Sequence, residues 1–229
     1  MKLPVLLSVP HAGWNIPPEV ADICRLTEMD VHADGDAGAD EIYYPLKNEV
    51  AVFVTTDVAR AVVDLNRAPD DFQNDGVIKT HTCWDVPVYR APPSDEVVSS
   101  LLQRYYYPYH LQLKDLSKQV RLGIDGHTMA SFGPPVGPDS GKERPPVCIS
   151  NAGFTCPDSW VQSLAEILGN TLSFPVSINV PFQGGYIVRS HAEEIPWIQV
   201  EFSRADFLPN SEKSSLFLES LRKWLNQLD

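Results

Sequence analysis

The sequence predicts an α/β protein, and two observations predict it. Short apolar runs rich in valine or leucine recur at residues 3–9, 50–54, 147–149, 176–180 and 197–202, as buried strands do. Between them lie stretches whose apolar residues repeat with a helical period. Strands alternating with helices imply a largely parallel or mixed sheet.

The elements follow in order. Residues 3–9 stand behind a single lysine and meet Pro10 and His11, so they are too short for a signal segment or a membrane span and read as a buried strand. Residues 32–41, HADGDAGADE, read as an acidic, turn-rich loop entering a helix near Asp40. Over residues 94–122, Val98, Leu101, Leu102, Tyr105, Tyr109, Leu116 and Val120 follow a 3.6-residue period. Ser94 with Asp95 and Glu96 suits the start of that helix, Gly123 suits its end, and Pro108 should kink or split it. Residues 133–146 are rich in proline and glycine and form a long loop, either a lid or a plain surface connection. A further helix is predicted over 158–168 with Gly169 as its stop. The last, over 211–228, carries Leu218, Leu221, Trp224, Leu225 and Leu228 on one stripe.

With 229 residues, 43% of them hydrophobic, the chain reads as one globular domain over residues 1–229. Its net charge of -12 would repel nucleic-acid phosphates and anionic membrane surfaces, which argues against both as partners. Four scattered cysteines form no C-x-x-C pair, the pattern of free thiols in a reducing, cytoplasmic setting. No segment reaches the ~20 apolar residues of a transmembrane helix, so a soluble protein is expected.

Several residues can do chemistry. His11 ends the first strand, and ligands gather at strand C-termini in open α/β sheets; by itself it reads sooner as a turn histidine bonded to a carbonyl than as a ligand. His127 follows another short strand whose extended geometry sets Asp125 on the same face, as an acceptor for the histidine's other ring N–H. The Asp34, Asp36 and Asp40 cluster offers carboxylates but lacks the ligand order of an EF-hand. Two histidines and one carboxylate would make a catalytic zinc set. Asn66 and Arg67 beyond an apolar segment suit a carboxylate clamp, although Arg67 could instead pair with Asp64 or Asp70. Along 197–202, Trp197, Gln199 and Glu201 share one face and Ile198, Val200 and Phe202 the other. Glu201 is thus a carboxylate at the end of an apolar strand, fit to be a general base or to pair with Arg204 or Arg189. Ser8, Ser131, Ser190 and Cys148 lack a nucleophile-elbow context. His110 reads as a packing residue, and His191 could reach the site.

Taken in order, SVPHAG at 8–13, the Asp34/Asp36/Asp40 cluster, VDLNR at 63–67, DGHT at 125–128, GGYIVR at 184–189 and QVE at 199–201 resemble the N-formylglutamate amidohydrolase family. That resemblance implies a single three-layer domain with a mixed, largely parallel sheet flanked by helices, similar to zinc carboxypeptidases. It also implies a metal site of His11, Asp36 and His127 for Zn2+ or another divalent transition metal. Asn66 and Arg67 would grip the substrate's α-carboxylate, and Arg189 a second carboxylate or the acyl carbonyl. Glu201 would be the general base that activates a metal-bound water. The implied reaction is hydrolysis of the amide bond of a small N-formyl or other N-acyl amino acid. Two alternatives stand beside it: a zinc carboxypeptidase-like peptidase acting on a peptide or cell-wall fragment, and a metal-free carboxylate-binding protein.

Overall fold

The structure, a computed structural model, describes residues 2–228. Its centre is a six-stranded sheet built from β1 (Leu3–Val9), β2 (Val50–Thr55), β3 (Leu122–Met129), β4 (Val147–Ser150), β5 (Val176–Ile178) and β6 (Trp197–Ser203). The strand order is β2-β1-β3-β6-β4-β5. β2, β1, β3 and β6 run parallel, whereas β4 enters antiparallel to β6 and pairs parallel with β5.

Period-two alternation decides which side chains go to which face. Val5, Leu7 and Val9 of β1, with Ile198, Val200 and Phe202 of β6, face one core. That core is closed by α2 (Ala39–Tyr43), α5 (Asp158–Leu172) and α7 (Asn210–Leu225). Leu6 and Trp197 face a second core, covered by α3 (Asp95–Leu101), α4 (Tyr107–Ser117) and α6 (Tyr186–Ser190). The result is the expected three-layer arrangement, helices on both faces of a mixed, mostly parallel sheet. Among the described residues no helix is long and apolar enough to cross a membrane.

Several local expectations are corrected. Pro108 does split its helix: it sits in the first turn of α4, preceded by a π-helical turn at Leu102–Tyr106 that makes room for the ring. That helix ends at Ser117, however, and Gly123 is no stop but part of β3, where a Cβ would drive into the Trp197 ring. Gly169 lies inside α5, which continues to Leu172 because Leu168 and Leu172 still reach the core; Ser173, in the left-handed region at φ 60°, ends it. Part of the acidic loop is helical: Thr27 and Asp30 form a reciprocal capping box that starts α1 (Glu28–Asp34). The 133–146 segment has no helix or strand but is tied down, with Gly141 N–H donating to Gly133 O at 2.8 Å and Val136 N–H to Cys83 O at 3.1 Å.

Candidate active site

β1, β3 and β6 lie side by side, and their C-terminal ends open into a cleft of about 720 Å³. This is where open parallel sheets collect ligands. His11 stands two residues beyond β1, in a turn held close to residues 57 and 58. A Cβ on Gly13 would collide with their backbone, which explains a glycine two residues after the histidine. His127 is in β3 and faces Glu201 of β6 in parallel register. Asp36 lies between α1 and α2, its N–H donating to the His11 carbonyl at 3.1 Å.

These side chains are buried and converge. His11 Nε2–H donates to Asp64 Oδ1 at 2.8 Å, and His127 Nε2–H donates to Asp125 Oδ2 at 2.8 Å. Each histidine therefore turns its Nδ1 inward, to 3.6 and 2.9 Å from Asp36 Oδ2. Of the three clustered aspartates, the structure brings Asp36 to the histidines. Asp34 is bonded to Lys79 Nζ at 3.0 Å and to Cys83 N–H at 2.7 Å, which holds its carboxyl down at about 2 against the upward push of burial. Asp40 lies in the first turn of α2, outside the cleft.

His11, Asp36 and His127 can hold a metal ion, their donor atoms lying within 4.8 Å of one another. The donor set fits a divalent transition metal in kind: two imidazoles and a carboxylate, with each histidine's outer nitrogen held by its own buried carboxylate. Burial opposes charge on His127, but the carboxylates of Asp125 and Glu201 hold its pKa well above the usual range. Burial likewise works to raise Asp36, and the two histidines overrule it.

Glu201 is buried on the floor of the same cleft. Its Oε1 accepts from Gln199 Nε2 at 2.8 Å, so its partner is neither Arg204 nor Arg189. Burial pushes its carboxyl up to about 7; the Asp36 charge adds to the rise, and His127 opposes it. Arg204 is instead spent on Thr128 Oγ1 at 3.1 Å and on the carbonyls of Ala33 and Gly35, which fastens the turn carrying Asp36.

Asn66 lines the cleft, but its amide is engaged at both ends: Oδ1 accepts from Ile187 N–H at 2.8 Å, and Nδ2 donates to Asp125 Oδ2 at 3.3 Å. Arg67 also lines it and is 39% exposed, with Nη2 donating to Asp75 Oδ2 at 2.9 Å. Arg189 is not brought to the site. It is exposed, and its guanidinium donates to the carbonyls of Gly184 and Gln183 at 2.9 and 3.1 Å, closing the turn before α6. His191 is also elsewhere, paired with His110 at 2.9 Å in the second core. What sequence reasoning missed is the bond from His11 to Asp64, which it offers only as a partner for Arg67; Arg67 Nε does lie 3.8 Å from Asp64 Oδ2. Asp64 lies in a non-strand turn, where no side-chain periodicity points it at His11.

Comparisons with known proteins identify the relatives of this chain. The N-formylglutamate amidohydrolase family matches residues 3–208. An N-formylglutamate deformylase of Pseudomonas putida is 25% identical over 227 residues, 92% of this chain and 84% of that protein. The crystal structure of an N-formylglutamate amidohydrolase from Ralstonia eutropha superposes with a TM-score of 0.78 at 18% identity, covering 99% of this chain and 93% of that one. A gene product of Agrobacterium tumefaciens gives 0.77 at 18% identity, covering 100% and 91%. At that identity these two show the shared fold, and the match over residues 3–208 gives the kinship: the chain belongs to the N-formylglutamate amidohydrolase family.

Proposed function

We propose that this protein hydrolyses the amide bond of a small N-formyl or other N-acyl amino acid, N-formylglutamate being the type substrate. His11, Asp36 and His127 would hold Zn2+ or a similar divalent ion, which supplies Lewis acidity toward water and a carbonyl oxygen. One observation carries the reading: both Nδ1 atoms turn toward Asp36 because each Nε2 is tied to a buried carboxylate, with Glu201 beside them in register.

The protein's own residues do the rest. Gln199 holds Oε1 of Glu201, which leaves Oε2 to take a proton from the attacking water and return it to the leaving nitrogen. A carboxyl with a pKa near 7 is matched to both transfers at neutral pH. Arg67 presents its unspent guanidinium edge to the substrate α-carboxylate, while Asn66 holds the turn at 185–187 against β3.

The test is formate release from N-formyl-L-glutamate by the zinc-loaded protein, with Glu201→Gln alongside. The wild type should release formate, and the variant should bind metal as before while turnover falls by roughly 100-fold or more. Full activity in the variant would remove Glu201 as the base, and no release by the wild type from any N-formyl amino acid would remove the hydrolase reading.

A further inference from the structure

Four arginines line the cleft, and their hydrogen bonds divide them into two kinds. Arg60 donates Nε to Asp64 Oδ2 at 3.1 Å and Nη1 to the carbonyl of Asp34, and Arg204 is spent on Thr128, Ala33 and Gly35. Both hold protein groups in place. Arg144 and Arg67 differ, because the guanidinium of each pairs only with aspartates, Asp139 for Arg144 and Asp75 and Asp64 for Arg67, and bonds none of the carbonyls of the 33–35 turn, leaving Nη1 without a protein partner among the described residues.

Arg144 is the better prepared of the two. It makes two parallel bonds to Asp139, Nε to Oδ2 at 2.6 Å and Nη2 to Oδ1 at 2.9 Å, and its guanidinium lies over the Phe182 ring at 4.8 Å. With one edge clamped and one face stacked, the fork is fixed in orientation, and Nη1 is left over at the cleft wall. Its side chain is only 7% exposed, so a bond made there is poorly screened by water. The residue belongs to the proline-rich segment, three residues before β4, and the Arg144 N–H donates to Ser131 O at 2.8 Å. Arg67 follows the turn that meets His11 beyond β1. In the sheet order β3 and β6, with His127 and Glu201, run between the two arginines.

We infer that Arg144 is a specificity-determining residue: it receives the side-chain carboxylate of a dicarboxylic N-acyl amino acid whose α-carboxylate is held by Arg67. This rests on the hydrolase reading above and names its substrate class. It also gives the 133–146 segment a task, presenting a pre-oriented cation to the cleft. Asp139 is the orienting partner, since its two oxygens fix which edge of the guanidinium faces the substrate.

The test compares kcat/KM for N-formyl-L-glutamate and its isostere N-formyl-L-glutamine. The wild type should prefer glutamate by at least about 10-fold, the order of a charge-assisted hydrogen bond. In Arg144→Gln the ratio should collapse to near one, mainly through KM on the glutamate side, with Arg144→Lys in between because it keeps the charge and loses the fork. In Arg67→Gln both substrates should fall together and the ratio persist. A wild-type ratio near one overturns the inference whether or not any variant folds. So does a ratio that survives in folded Arg144→Gln or vanishes in Arg67→Gln. Formate release from both substrates at equal efficiency would sink this inference alone, whereas release from neither would sink the hydrolase reading beneath it.

Discussion

Replacing Asp64 by Asn keeps the shape of a buried side chain and removes its charge, which makes it a sharp probe of how His11 is held. Asp64 Oδ1 accepts from His11 Nε2 at 2.8 Å and from Asn66 N–H at 2.9 Å, and Oδ2 accepts from Arg60 Nε at 3.1 Å with Lys79 Nζ at 3.9 Å. Burial works to raise its pKa, but His11, Arg60 and Lys79 together hold it well below the carboxylate range. An Asn oxygen can still accept from His11, but its NH2 would meet the Arg60 donor, and two buried cations would lose part of their counter-charge. Removing one partner of a buried pair costs about 3–5 kcal/mol. At 2–4 °C per kcal/mol for a chain of this size, the apparent melting temperature should fall by roughly 10 °C. With His11 as a ligand in the proposed metal site, loss of the carboxylate behind it should also weaken metal binding by about 10–100-fold. Thermal denaturation followed by tryptophan fluorescence, in chelator, reads the first effect, and competition with a zinc chelator reads the second. If Asp64→Asn bound zinc as tightly as the wild type, Asp64 would not be the group that orients His11.

Three other outcomes follow from the structure. Gly123→Ala places a methyl against the fully buried Trp197 ring across the β3–β6 pair and should cost about 1–3 kcal/mol in urea denaturation; an unchanged midpoint would mean that Trp197 can move aside freely. Burial, with the His191 charge adding to it, lowers His110 from 6.5 to about 4. Below pH 6.5 the unfolded chain then binds this proton first, so stability is lost as pH falls and the loss is complete below about 4. His110→Gln should remove a pH-dependent difference approaching about 3 kcal/mol between pH 7 and 4, and identical slopes for both proteins would refute the assignment. Arg189→Ala, which removes two hydrogen bonds to the turn before α6 but no side chain that lines the cleft, should lower stability by under about 1 kcal/mol and leave the substrate KM within a few-fold; a KM rise of about 100-fold or more would return Arg189 to the site.

Much of the fold is legible in the sequence because strand signals are local. The run at 3–9 and the alternation of Ile198, Val200 and Phe202 follow from side-chain periodicity alone, and the structure has strands at both places. Helix ends are less legible. Gly123 and Gly169 look like stops by composition, but one is required for contact with Trp197 and the other is carried within α5 by the core contacts of Leu168 and Leu172. In the candidate site, Asp125 beside His127 could be read because both are on one strand face two residues apart. Asp64 beside His11 could not, because the two are 53 residues apart and meet through a turn. Arg189 illustrates the same limit. The resemblance gives it a second carboxylate or the acyl carbonyl to hold, whereas its guanidinium is turned to the nearby carbonyls of Gly184 and Gln183. Arg144 lay in a segment with no periodicity at all.

The most direct test of the account is a zinc titration of chelator-treated wild type beside His11→Ala and His127→Ala, read by calorimetry with circular dichroism to confirm folding. One tight equivalent in the wild type, weakened by roughly 100-fold or more in each folded variant, is the predicted result. A wild type that binds no stoichiometric zinc, or variants that bind it equally well, would contradict a metal centre at His11, Asp36 and His127.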